Sequence, residues 1–278
     1  MAKGLLRLLN RLLSLITGLA LVAAVLYSGY ALWDNRRIYA SAENPLSDMA
    51  PGTELAENQG AGEDGTRRTA DSAEDASDGD EETELETLFR QLKAINPDIG
   101  AWITMPGTAI DYAVVRGTNN IEYISKDVRG NFAIVGSIFL DSRNQEDYSD
   151  IYNVLYGHNM TEHRMFSDVN LYKDEEFFKE NQTGTIYFPT GSHTLQSVSV
   201  IVTNASNSWL FNPLAWQNQT PEKILELTQM DAVFVSETGM EALQAKFEAG
   251  EAPQFVALTT CSNEFTDART ILLTLLDP

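Results

Sequence analysis

The sequence is poor in cysteine, in basic charge and in long apolar runs. Its one cysteine, Cys261, excludes an intramolecular disulfide framework, so this thiol is either buried and inert or reactive. Its 19 basic residues against 40 acidic ones argue against nucleic-acid binding, which requires a basic face. Apart from residues 12–33, no apolar run is long enough to span a membrane, so we expect a single-pass chain.

The histidines do not have the spacing of a metal site. His158 and His163 are separated by four residues, and neither has a cysteine nearby to complete a zinc site. His193 falls in a predicted hairpin turn. We therefore assign no role to His163 or His193 and expect no metal or other cofactor.

Residues 12–33 carry no charge and predict a transmembrane signal-anchor helix. As a helix they span about 33 Å, which is enough for a hydrocarbon core of about 30 Å. Tyr27, Tyr30 and Trp33 lie at one end, where an aromatic belt is expected. A cleaved signal peptide is the alternative, because Ala40-Ser41-Ala42 resembles a cleavage site. The length of the apolar run favours an uncleaved anchor.

The charges on either side of this run indicate its orientation. Lys3, Arg7 and Arg11 precede it, and Asp34, Arg36 and Arg37 follow it. This slight positive-inside bias predicts a cytoplasmic N-terminus over residues 1–11 and an extracellular location for everything after residue 33.

Residues 34–83 predict an acidic, disordered tether. The stretch 41–86 holds 15 acidic residues against Arg67 and Arg68, with almost nothing large and apolar. Such a composition cannot bury enough surface to offset the entropy of ordering it. A specific binding role for the acidic run is the alternative.

Residues 84–278 predict a mainly β domain with inserted helices. Apolar residues recur at helical spacing over Glu84 to Ile95 and again over 165–180, and 207–250 reads as a helical insertion. The remaining apolar stretches are short and rich in β-branched residues, which is typical of strands. They lie at 101–105, 110–115, 133–140, 151–156, 185–189, 194–203, 254–261 and 270–276. About eight short strands with inserted helices predict a small closed barrel.

The last two of these strands carry the most informative side chains. The run Gln254 to Cys261 ends at the cysteine and is followed by loop-forming residues. Arg269 opens the final apolar run. Two adjacent strands joined by this loop would hold a thiol and a guanidinium at their facing ends. His158, also at the end of an apolar run, is the best candidate for a base.

Several segments resemble the class B sortases, the cysteine transpeptidases of Gram-positive cell surfaces. The resemblance extends over roughly residues 85–277, and Ala113 departs from it where the family often has proline. It implies a closed eight-stranded sortase barrel, with a helical insertion between the sixth and seventh strands. The matching segments are Tyr156-Gly157-His158-Asn159-Met160, Leu258-Thr259-Thr260-Cys261, Arg269, and the upstream stretches 96–103, 111–115 and 136–141.

The resemblance implies roles for three catalytic residues. Cys261 would attack a backbone carbonyl of a sorting signal and form a thioacyl intermediate. His158 would protonate the departing amine and later accept a proton from the incoming one. Arg269 would hold the substrate backbone or the developing oxyanion. Each residue alone has an ordinary structural explanation, and only their joint occurrence in these local sequences favours catalysis.

The resemblance also implies four substrate-contacting residues. Asn120 and Ile124 lie in a segment that is similar to an asparagine–tyrosine–leucine segment of the family. Tyr156 and Thr259 each precede a catalytic residue by two, so in an extended strand their side chains share its face.

The function predicted from the sequence is therefore that of a membrane-anchored cysteine transpeptidase. It would cleave the C-terminal sorting signal of surface-protein precursors after threonine and transfer the acyl group to an amine. The acceptor could belong to a peptidoglycan precursor or to a pilin lysine, and the sequence leaves both the acceptor and the sorting motif open. Two alternatives remain at this stage: a cysteine protease or hydrolase using the same site, and a non-enzymatic tethered adhesin or scaffold.

Overall fold

A computed structural model of the chain describes residues 2–41, 44–51 and 82–277. The chain divides into two compact units, residues 1–43 and residues 44–278. The first contains one helix, α1, over Ala2–Ser41, with a candidate membrane span at Arg11–Ile38. The helix is longer than the predicted 12–33. Residues 34–41 contain neither proline nor glycine, so nothing in the sequence ends the helix at Trp33.

Part of the predicted tether belongs to the second unit. Residues 44–51, called here the strap, contain one 3₁₀ turn over Ser47–Met49. Leu46 is fully buried there in a cluster with Phe89 and Leu92. This unit therefore includes residues 44–51, which precede the domain start predicted at residue 84. Residues 42–43 and 52–81 of the predicted tether lie outside the described residues.

The second unit contains a closed barrel, as predicted. Eight strands follow one another around it in the order β8–β11–β10–β4–β3–β2–β1–β7, and β7 pairs with β8 to close the ring. Of the other strands, β9 pairs with β8 outside the ring order, and β5 and β6 form a separate two-stranded sheet. The strand bounds are β1 Ile99–Thr104, β2 Asp111–Val115, β3 Ile138–Leu140, β4 Tyr152–Tyr156, β5 Asn159–Met160, β6 Arg164–Met165, β7 Thr183–Phe188, β8 Gly191–Asn204, β9 Ala232–Val235, β10 Phe255–Cys261 and β11 Ala268–Asp277.

Helices pack on the outside of the barrel. The helix α2, Glu84–Ile95, has the predicted bounds and begins with a capping box in which Thr83 and Glu86 exchange hydrogen bonds. It buries Phe89 and Leu92. The others are α3 Glu175–Glu180, α4 Pro221–Gln229 and α5 Glu237–Ala249. As predicted, the main insertion lies between β8 and β10, the sixth and seventh strands of the barrel.

Three predicted elements differ from the structure. The strand predicted at 133–140 is confined to Ile138–Leu140, because the chain turns at Gly136, where φ is +62°. The helix predicted at 165–180 is a 3₁₀ helix over Ser167–Lys173 followed by α3, since Asp174 caps a new helix. The insertion predicted to be helical also contains β9, which at four residues is too short to show a period.

Candidate active site

Two antiparallel strands place Cys261 and Arg269 side by side. In the β10–β11 pair, Cys261 is the register partner of Arg269, so both lie at the same end of the barrel. Cys261 is a free cysteine and is exposed. The thiol is therefore accessible, and the inert, buried alternative does not apply.

His158 reaches the same end through the parallel pairing of β4 with β10. Tyr156 is the partner of Thr259 in that register. The association continues past the end of β4, where the Gly157 N–H donates to the Thr259 carbonyl at 3.1 Å. The Thr260 hydroxyl donates in turn to the Gly157 carbonyl at 3.0 Å. These bonds carry the backbone of His158 to the level of Cys261.

Gly157 allows this segment to pack closely on the barrel. A Cβ atom at this position would lie 2.5 Å from Cδ1 of Ile138 and 2.6 Å from Cγ of Phe166. Real Cβ atoms do not approach other atoms so closely, so a larger residue would have to displace the side chains of Ile138 and Phe166 or the backbone that leads into His158.

The seven residues singled out from the sequence line one cavity of roughly 380 Å³. They are Asn120, Ile124, Tyr156, His158, Thr259, Cys261 and Arg269. Phe139, Gly157, Ala205, Phe211 and Thr260 complete its lining. The structure thus brings together residues from six separate stretches of chain, including Phe211 from the insertion.

A hydrogen bond identifies the ring nitrogen of His158 that is engaged. Its Nε2 lies 3.0 Å from the backbone carbonyl oxygen of Ile124. A carbonyl oxygen can only accept, so Nε2 carries the proton and donates it. Nδ1 is then the nitrogen left to exchange protons with other groups.

Asn120 and Tyr156 are engaged with a buried carboxylate. The Asn120 amide donates to Asp141 Oδ2 at 2.8 Å, and its oxygen accepts from the Ser142 N–H at 2.7 Å. The Tyr156 hydroxyl donates to the same Oδ2 of Asp141 at 3.0 Å. Burial raises the pKa of Tyr156, so its phenol stays protonated and can donate. Both residues line the cavity while fixing its wall.

Arg143 neutralises this carboxylate. Its Nε and Nη2 donate to Asp141 at 2.8 and 2.6 Å, and the Asp141 side chain is 0% exposed. Burial raises the pKa of Asp141, but the hydrogen bonds and charge of Arg143 more than offset it, and the net pKa is lowered. Arg143 Nη2 also donates to the Phe211 carbonyl at 2.8 Å. The ion pair therefore connects the barrel to the insertion at the cavity wall.

Other contacts secure the end of β10 around Cys261. The Asn170 amide donates to the Cys261 carbonyl at 3.2 Å and accepts from the Thr270 hydroxyl at 2.8 Å. Glu264, in the loop that follows β10, forms an ion pair with Lys173. Burial raises the pKa of Glu264, but its hydrogen bonds, first among them that from Lys173, and the charge of Lys173 more than offset this and lower the pKa to about 2. Both strands next to the thiol are thus tied to the 3₁₀ helix over Ser167–Lys173.

Thr259, Arg269 and Ile124 line the cavity with different degrees of solvent exposure. Thr259 is only 2% exposed, and its hydroxyl has no hydrogen-bonding partner within the described residues. Arg269 is partly exposed, and its Nη1 donates to the Ala268 carbonyl at 2.9 Å. Ile124 exposes 42% of its surface.

The remaining histidines lie away from the cavity. His163 bonds Asp168 Oδ1 through its Nδ1 at 2.6 Å, and His193 packs edge-on against Phe188. In the part of the chain that the structure describes, no three or more acidic, cysteine or histidine side chains are grouped to hold a metal ion.

The sequence interpretation missed the groups that support the cavity. Asp141 ends a segment that matches the family, yet nothing in the sequence pairs it with Arg143. Asn170 and Phe211 lie far along the chain from Cys261 and Arg143, so only the fold reveals their contacts.

Comparison with known proteins identifies the family, although no family model matches the chain. A solved class B sortase from Streptococcus pyogenes, described as involved in pilus biogenesis, superimposes with a TM-score of 0.60 at 33% identity. The match covers 68% of this chain and 97% of that one. The chain belongs to the class B sortases. Members of this family are cysteine transpeptidases.

Two curated sortases agree with this assignment. Sortase B of Listeria monocytogenes is 34% identical over 100 residues, which is 36% of this chain and 41% of that protein. Sortase B of Staphylococcus aureus is 25% identical over 179 residues, which is 64% of this chain and 69% of that protein. The first match thus spans less than half of the relative's length.

Proposed function

We propose that this sortase cleaves a C-terminal sorting signal after threonine and transfers the acyl group to an amine through a thioacyl intermediate on Cys261. The observation that carries the proposal is the cavity itself. An exposed thiol, a histidine with one ring nitrogen engaged and an arginine in register with the thiol all line it. These are the three groups that acyl transfer through a thiol requires.

In the first half-reaction, Nδ1 of His158 takes the proton of the Cys261 thiol, and the sulfur attacks the carbonyl carbon of the scissile peptide bond. Negative charge develops on the carbonyl oxygen, and the Arg269 guanidinium stabilises it. The carbon–nitrogen bond then breaks. Nδ1 of His158 gives a proton to the departing amine, which leaves a thioester on Cys261.

In the second half-reaction, the nitrogen of the acceptor amine attacks the thioester carbon. His158 removes a proton from that nitrogen, again through Nδ1, because Nε2 is engaged with Ile124. The carbon–sulfur bond breaks, a new amide forms, and His158 passes the proton from Nδ1 to the departing sulfur, which restores the thiol. If water attacked the thioester in place of the amine, the enzyme would act as a cysteine protease.

We propose that α1 anchors the enzyme in the cell membrane as a single span, with its N-terminus in the cytoplasm and the barrel outside. The uncharged stretch 12–33 and the basic residues before it support this topology. The partners would be surface-protein precursors and an amine of a peptidoglycan precursor or a pilin. The pilus role named for the Streptococcus pyogenes relative makes a pilin lysine a specific candidate.

A cysteine variant and an amine titration test this function. In cells that lack the wild-type enzyme and express the Cys261→Ala variant instead, the display of wall-anchored proteins should be lost. Unchanged display would favour a scaffold. With purified full-length enzyme, a product whose mass depends on the added amine supports transfer, and a product that forms equally well without amine supports hydrolysis.

A further inference from the structure

Ile124 faces the candidate active site with two different groups. Its side chain lines the cavity, and its backbone carbonyl accepts the hydrogen bond from Nε2 of His158 at 3.0 Å. The orientation of the imidazole therefore depends on the position of one carbonyl oxygen in the segment between β2 and β3.

That carbonyl is positioned by pairing within the β2–β3 segment, residues 116–137. The Ala133 N–H donates to the Ser125 carbonyl, and the Ser137 N–H donates to the Tyr123 carbonyl, each at 3.0 Å. These two bonds lie on either side of Ile124 and bring residues 133–137 alongside it.

Gly136 makes the closest approach. A Cβ atom at residue 136 would lie 2.6 Å from the Ile124 carbonyl oxygen and 2.7 Å from that of Tyr123. These are backbone atoms, which cannot rotate away as the end of a flexible side chain could. Any side chain here would push the Ile124 carbonyl out of its position.

We propose that Gly136 is a positioning residue for the sortase reaction. The missing side chain lets the Ile124 carbonyl hold Nε2–H of His158, which keeps Nδ1 free for both proton transfers. The same arrangement links recognition to catalysis, because a substrate pressing on the Ile124 side chain acts on the residue that orients His158. The catalytic consequence rests on the proposed function, whereas the geometry of the imidazole does not.

The alternative explanation is that Gly136 serves only its own backbone conformation. Its φ of +62° lies in the left-handed region, where alanine is strained regardless of its neighbours. Gly130 is a matched control in the same segment. Its φ is +82°, and a Cβ there would meet no atom within 4 Å. Alanine at either position carries backbone strain, but only at 136 does it reach the Ile124 carbonyl.

Steady-state kinetics of the full-length enzyme compare the two variants with a turned-over peptide and a saturating amine. Gly136→Ala should lower kcat by about tenfold to a hundredfold, the range expected for a misplaced general acid–base group. KM should change much less. Gly130→Ala should retain wild-type kcat within about threefold. Equal losses in both variants would show that the effect is backbone strain and would overturn the proposal.

A second readout does not need turnover. Full-length protein in detergent is labelled with ¹⁵N-histidine, and its spectrum reports which imidazole nitrogen carries the proton. The protein also carries Cys261→Ala, so that no thiol holds the ring charged. His163→Gln and His193→Gln assign the signals. At about pH 8.5, where histidine is ordinarily neutral, we expect the proton of His158 on Nε2, and a mixture of tautomers once Gly136→Ala is added. A proton on Nδ1 in the parent protein would overturn the proposal.

These arms separate the inference from the function on which it rests. If no peptide is turned over but the Nε2–H signature is present and sensitive to Gly136→Ala, the proposed function fails and the positioning role stands. If Gly136→Ala does not fold, an ester in place of the Ile124–Ser125 amide weakens the same carbonyl as an acceptor without adding a side chain. The ester should shift the tautomer in the same direction, and an unchanged tautomer would contradict the proposal.

Discussion

Replacing Arg143 by methionine tests the buried ion pair at the cavity wall. The substitution keeps a long apolar side chain but removes the two side-chain hydrogen bonds and the positive charge that Asp141 receives. Asp141 is 0% exposed, so water does not replace them. The carboxylate would keep only its bonds from Asn120, Tyr156 and the Arg143 backbone N–H.

The expected loss follows from this burial. Breaking a buried pair by removing one partner costs about 3–5 kcal/mol. The Arg143 side chain is 39% exposed, and three donors remain on Asp141, which reduces the penalty. We therefore expect Arg143→Met to lower the free energy of unfolding at pH 7 by about 2–3 kcal/mol. Guanidinium unfolding followed by tryptophan fluorescence measures the loss.

The pH dependence of this loss has a definite sign. In the wild type the folded pKa of Asp141 is lowered, so its contribution is complete above the unfolded value of about 3.9 and is lost as the pH falls through the folded value. In Arg143→Met, Asp141 stays buried but loses the charge and the side-chain hydrogen bonds of Arg143 that offset its burial. The folded pKa of Asp141 therefore rises above its unfolded value. That variant loses stability as the pH rises. The difference between the two proteins should therefore be largest near pH 7 and shrink toward about pH 4.

Arg90→Met is the matched control for this experiment. Arg90 binds Glu82 through the same two-bond geometry, but both side chains are largely exposed. Exposed pairs contribute little, so this variant should unfold like the wild type. A loss for Arg143→Met no greater than for Arg90→Met, or a loss that is constant from pH 4 to 7, would refute the reasoning.

Three further predictions follow from close packing and charge. Gly157→Ala should displace the backbone entering His158 and lower kcat/KM by about tenfold or more. Lys173→Met should destabilise the protein at neutral pH but not near pH 2. The ion pair lowers the pKa of Glu264 to about 2, so its contribution to stability is lost as the pH falls from about 4.3 toward that value. Leu46→Ala should cost about 2–4 kcal/mol of unfolding free energy, since this leucine of the strap is fully buried.

Each of these substitutions has a control in the chain. Gly100→Ala adds a methyl group where no atom lies within 4 Å, so activity should be retained. Lys179→Met breaks an exposed pair with Glu175, and Leu214→Ala truncates a leucine that is 48% exposed. Rapid-mixing kinetics and thermal unfolding should separate each variant from its control. Losses of equal size within a pair would contradict the corresponding argument.

The elements with clear periodicity could be predicted from the sequence. The amphipathic spacing in 84–95 gave α2 with its observed bounds, and the apolar run ending at Cys261 placed the end of β10. In contrast, Leu46 is a single buried leucine in an acidic stretch, so no period distinguishes the strap from its neighbours.

The candidate site was predictable where the chemistry is local in sequence and not where it depends on distant contacts. The motifs around His158 and Cys261 identified residues that do line one cavity. The sequence could not show that the Asn120 amide is engaged with Asp141, or that Arg143 reaches a carbonyl 68 residues away. The first contact forms only when the segment after β2 folds against the end of β3, and the second only when the insertion folds back over the barrel.

The most direct test of the account is the mass of Cys261 during turnover. Full-length enzyme would be mixed with a panel of sorting-signal peptides containing threonine at the scissile bond, with and without a pilin-type lysine or a peptidoglycan-type amine. We expect an acyl adduct on Cys261 and a ligated peptide that forms only when the amine is present. A folded protein with a titratable thiol that forms no adduct across a broad peptide library, or that only hydrolyses its substrates with amine present, would contradict it.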